Sequence, residues 1–113
     1  MNSRCQSMQY HAHIFFDLED EQEIICLREH LLHIFPKRIF VGRLLNRAVG
    51  PLPKPMFQLE YENVDADYVH QMLSQECLGF SVLIHPILDH EIEAHTTYAT
   101  WLGVPLELYL DKL

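Results

Sequence analysis

The sequence is poor in what several common functional classes require. Its three cysteines, Cys5, Cys26 and Cys77, make an odd count with no close pair, which provides no CxxC metal or redox motif and suits reduced thiols in a reducing compartment better than a disulfide framework. Cys26 and Cys77 fall within helical patterns and are expected to be packing residues. Lys and Arg together number 8 against 16 Asp and Glu, a formal net charge of -8. The clustered cations that grip a phosphate backbone are therefore missing, and nucleic acid is not an expected partner. No run approaches the ~18 apolar residues of a membrane span, and the opening MNSRCQSMQ holds no apolar segment that could act as a signal peptide. The expectation is a cytoplasmic protein with no membrane partner. HExxH and glycine-rich phosphate motifs are absent as well.

What is present fits one globular unit. A length of 113 residues, 49% hydrophobic and 21% charged, suffices for one core and leaves no room for a second. We expect a single domain over 1–113, with 1–9 flexible. From Tyr10 to Phe16 the chain alternates, with His11 and His13 on the face opposite Ala12 and Ile14, the pattern of a half-buried strand. A helix is expected from Asp20, with Asp20 as cap and Glu23 at the capping-box position. Its stripe is Ile24, Leu27, Leu31 and Ile34/Phe35, and Pro36 ends it. His30 and His33 lie off that stripe and are expected to be solvated. Strands follow at 39–45 and 56–61, joined by 46–55, whose prolines at 51, 53 and 55 make it an ordered loop of a length more typical of binding or covering elements.

A second helix from about Asp65 aligns Ala66, Val69, Leu73 and Cys77, with Gly79 placed for a left-handed cap. A fourth strand at 80–85 is followed by a short helix from about His90 to Leu102, capped by Asp89. Leu106, Leu108 and Leu110 then alternate in an extra strand or an extended tail. The order β-α-β-β-α-β predicts an α+β fold, a ferredoxin-like split βαβ sandwich: an antiparallel sheet with two helices on one face and a C-terminal extension.

That topology gives the histidines a meaning. With the apolar strand faces turned to the helices, His11, His13, Gln58, Glu60, Ser81 and His85 project from the opposite face. The first strand lies beside the fourth and antiparallel to it, so His85 comes next to His11 and His13. Three neutral imidazoles at one end of a sheet suit Fe(II), Zn(II) or a related ion; a merely wet face is the alternative.

The segments YHAHIFFD, VGRL at Val41 to Leu44, VGP at Val49 to Pro51, FQLEY at Phe57 to Tyr61, SVLIHP and the final HT..A.WLG together span most of the chain. In these the sequence resembles the DOPA 4,5-dioxygenase family. The resemblance implies a ferredoxin-like fold, a non-haem Fe(II) centre (Zn or another divalent ion is possible in purified protein) and extradiol cleavage of a catechol such as DOPA with O2. By the same likeness, His11, His13, His85 and His95 are the candidate metal ligands, and two or three of them would hold the ion. His95 is the candidate base if it is not a ligand, and His85 is the second catalytic candidate. Gln58, Trp101 and Arg43 are the substrate-binding candidates: Trp101 could stack on an aromatic ring, and Arg43, like Lys54, could meet a carboxylate. Core packing for Trp101 and solvation for the cations are the alternatives.

The family pattern has a histidine where this chain has Leu52, an aspartate where it has Ala94, and often a histidine where it has Tyr98. A non-catalytic homodimeric module that binds a metal or a small aromatic, with a partly lost site, therefore stands as the second reading. A homodimer is expected under either, through the open sheet face.

Overall fold

The protein, seen here as a computed structural model, is described over residues 8–113. Cys5 and the expected flexibility of 1–7 lie outside the described residues; Gln9 is already paired in the first strand. The chain runs β1 (Gln9–Phe15), α1 (Glu21–Ile34), β2 (Phe40–Val41), β3 (Met56–Glu62), α2 (Ala66–Glu76), β4 (Val82–Pro86), α3 (Glu91–His95) and β5 (Thr100–Leu102). The strands form one antiparallel sheet in the order β2-β3-β1-β4-β5. This is the expected ferredoxin-like βαβ sandwich, with one further strand added on the β4 edge.

The main core forms where the period-two face of the sheet meets the helix stripes. Ala12 and Ile14 of β1, Phe57 and Leu59 of β3 and Val82 and Ile84 of β4 pack with Ile24, Leu31 and Phe35 from α1 and its end and with Val69, Leu73 and Cys77 from α2 and its end. Full burial of each large aliphatic or aromatic side chain contributes roughly 1.5–3 kcal/mol. Cys26, expected to pack, is instead exposed on α1. The exposed His30 pairs with Glu76 at 2.9 Å. Arg38, just beyond α1, makes a two-pronged contact with Asp65 at the start of α2, at 3.0 and 2.7 Å. These hydrogen bonds hold the Asp65 carboxyl below its usual range.

Four local expectations are corrected. Asp20 makes no side-chain cap bond, because a 3-10 turn (Leu18–Asp20) leads into α1 and leaves Asp20 at φ -99, ψ 18, away from the extended backbone that aims a capping oxygen at the helix. Asp89 does not cap α3; His90 stands at that position, without a cap bond. The second strand is short: Val41 pairs with Leu59 and Leu45 with Met56, so four steps on one side oppose three on the other and the ladder breaks around Gly42, as at a β-bulge.

The helix expected to reach Leu102 stops at His95, and Thr100, Trp101 and Leu102 pair with Ile84, Leu83 and Val82. Local helical spacing loses here to the unpaired backbone of β4, which the new strand satisfies. Gly103 makes the exit possible. It lies at φ 71, and a Cβ there would stand 2.5 Å from the Phe80 carbonyl oxygen.

The sheet's second face is not open. Phe15, Leu52, Met56 and Leu83 form a smaller core on it, with Leu45, Ala99, Trp101, Leu106 and Leu108 packed against them. The loop 46–55 and the extended tail supply this cover. They are tied together where the Tyr109 N–H donates to the Pro51 carbonyl at 2.8 Å. Apolar cover thus occupies one end of the face and leaves the histidine end accessible.

Candidate metal centre

The register of the central strand assembles the cluster. His11 lies directly opposite His85 across β1 and β4, and His13 follows two residues on, on the same face. One nitrogen from each of His11, His13 and His85 lies within 4.8 Å of the others, a group that can hold a divalent metal. His13 and His85 are buried and His11 is half-buried.

The proton positions follow from the partners. His85 Nδ1 faces the Pro86 carbonyl at 2.9 Å; a carbonyl can only accept, so Nδ1 carries the proton and Nε2 presents a lone pair. That Nε2 meets His13 Nε2 at 2.9 Å, while His13 Nδ1 is buried without a partner. If His13 carries its proton on Nε2, it satisfies His85 and leaves its own Nδ1 lone pair stranded. If the proton is on Nδ1, two lone pairs face each other. A cation shared by the two Nε2 atoms removes that second conflict. Two nitrogens each ~2.1 Å from one ion lie at most ~4.2 Å apart, and 2.9 Å is within that reach.

Electrostatics favour the neutral, ligating form. Burial, reinforced by His85, His11 and His95, pushes His13 well below the ordinary imidazole value. Burial lowers His85 to about 4, against the opposing bond to Pro86. His11 is lowered by burial, with Glu60 opposing. Protons therefore compete weakly for these nitrogens at neutral pH.

His95 returns to the cluster from α3, its ring centroid 4.0 Å from that of His85. It stands beside the group of three and not within it. Its Nδ1 donates to the Glu91 carbonyl at 2.7 Å, which leaves Nε2 unprotonated when the ring is neutral. All four histidines line a cleft of about 330 Å³, together with Gln58, Glu91, Leu52 and Ala94.

Two of the substrate-binding candidates lie elsewhere. Trp101 is on β5, stacked on Phe15 at 5.9 Å in the smaller core, and Arg43 opens with Arg28 onto a neighbouring groove. Lys54 is engaged by Asp17 at 3.0 Å. Glu91 was not a sequence candidate; it reaches the cleft because α3 begins there, and only its spacing of four from His95 could have signalled it. Leu52 and Ala94 are buried in the wall, whereas Tyr98 is exposed and outside this cleft.

A split βαβ sandwich with three mutually facing imidazoles lining one cleft defines a small domain with a site capable of holding a divalent metal. The model of the Dopa 4,5-dioxygenase family matches residues 10–112, and the chain belongs to that family. A crystal structure from Nostoc punctiforme, of a protein described as a candidate dioxygenase, is similar at 28% identity and a TM-score of 0.85, covering 98% of this chain and 95% of that one. A comparison with curated proteins gives no match.

Proposed function

We propose that the protein is an extradiol dioxygenase that opens a catechol ring with O2, using non-haem Fe(II) held by His11, His13 and His85. The observation that carries this reading is the convergence of three depressed, neutral imidazoles on one point of a largely apolar cleft. Fe(II) held by these three residues would supply a Lewis-acidic centre for a catechol oxygen and the redox capacity to engage O2. Both oxygen atoms end in the ring-opened product, so no external reductant is required.

The chain's own residues perform the remaining tasks. The central strand fixes two ligands and β4 the third. His85 is oriented by Pro86, as a ligating imidazole commonly is by a carbonyl. His95 Nε2 accepts a proton from a catechol hydroxyl, the general-base role that imidazoles commonly take. The apolar wall excludes water from the ring.

Iron-loaded protein given O2 and a panel of catechols is expected to form a yellow ring-opened product, and His13→Ala and His85→Ala each to abolish it and to lose stoichiometric metal. Wild-type protein that retains neither iron nor zinc after reconstitution, and forms no product, overturns the proposal. The buried Leu52 and Ala94, apolar where the family pattern is polar, favour the non-catalytic module as the second reading. Leu52→His separates the two: an enzyme regaining a general acid or base there would turn over the catechols of the panel up to ~10²- to 10⁴-fold faster, whereas a module would not respond.

A further inference from the structure

We infer, resting on the reading that the cleft takes a catechol, that the ring it accepts carries a neutral, apolar substituent and not an anionic one. The size of the cleft comes first. An apolar cavity of about 150 Å³ already accepts benzene, so about 330 Å³ leaves room beyond the ring for a substituent of a few carbons.

The chemistry of the wall decides which substituent. Away from the histidines, the cleft is lined by side chains such as Leu45, Val49, Leu52, Met56, Leu88 and Ala94, and among the described residues no Lys or Arg lines it. Arg28 and Arg43 line a neighbouring groove that shares Leu45, Met56 and Gln58 with the cleft. Arg28 is further occupied there by the Gly42 carbonyl at 2.6 Å, and Lys54 is held by Asp17. The Gln58 amide donates to Glu60 at 3.1 Å.

A carboxylate on the ring's side chain would thus surrender its water on an apolar wall with no cation to replace it, the costly case for a buried charge. It would also meet like charge. Glu91 is the one carboxylate side chain among the described lining residues, and the chain as a whole carries a formal -8, so an anionic ligand is disfavoured on approach as well as in place. The catechol oxygens are served at the histidine end and make no demand on this wall. An alkyl group gains from it what a carboxylate loses.

Titration calorimetry of zinc-loaded protein, which binds a catechol without turning it over, tests this with 4-propylcatechol and dihydrocaffeate, alike in length and differing in the terminal charge. The alkylcatechol is expected to bind at least ~10-fold more tightly, the lower end of what one apolar group earns in a hydrophobic pocket. Glu91→Lys is expected to narrow the ratio by about 3- to 10-fold, the scale of exposed charge pairs. Dihydrocaffeate binding as tightly as 4-propylcatechol, or a ratio that Glu91→Lys does not move, overturns the inference while leaving the catechol reading intact. Zinc-loaded protein that binds neither compound removes the catechol reading, and this inference with it.

Discussion

At the scale of single residues, the histidines couple the site to pH. His85 has its folded value pushed down from 6.5 to about 4 and His13 moves the same way. Between those values the unfolded chain binds protons that the native one refuses, so stability is complete above about 6.5 and declines as pH falls toward about 4. Thermal unfolding of metal-free protein is expected to show this loss, and His85→Gln to flatten it. A profile unchanged by the substitution would mean that His85 is not buried in its neutral form. His11, His13 and His85 could be picked out from the sequence because strand alternation and antiparallel pairing determine which side chains share a face; His95, on a short helix, was indicated only by the family resemblance. Trp101 and Arg43 could not be placed, since their position depends on where a helix stops and where a ladder slips.

At the scale of elements, the long amphipathic helices and the three inner strands were legible, because a dozen residues of consistent periodicity outweigh any single contact. The short pieces were not. Residues 96–102 carry apolar spacing compatible with a helix, yet the chain turns after His95 and the free edge of β4 draws 100–102 into β5. The core and this strand make separate predictions. Leu73→Ala, which empties a fully buried position on α2, is expected to cost ~2–5 kcal/mol in denaturant unfolding. Gly103→Ala forces a side chain into left-handed backbone and against the Phe80 carbonyl, a strain of roughly 1–3 kcal/mol. Equal stability of the Gly103 variant would show that the exit from β5 is not constrained.

At the scale of the whole molecule, the sheet carries a core on each side, and the second is built from loop and tail. One end of the face through which a homodimer was expected is therefore covered by the chain itself. Among the described residues no helix is long and apolar enough to cross a membrane. Truncation after Gly103 would remove Leu106 and Leu108 and uncover Phe15, Met56 and Leu83. The shortened protein is expected to sediment at a higher mass than the intact chain at the same concentration; unchanged sedimentation would mean that the tail contributes no cover. The central strand has a further consequence. Because His11 and His13 alternate with Ala12 and Ile14, the amides behind the ligands should exchange hydrogen only when the entire fold opens. The wall made by 46–55 and the tail rests on fewer ladder bonds and should exchange by local opening. The cleft is thus an anvil and a jaw, and evolution can reshape the jaw for a new ring without loosening the metal.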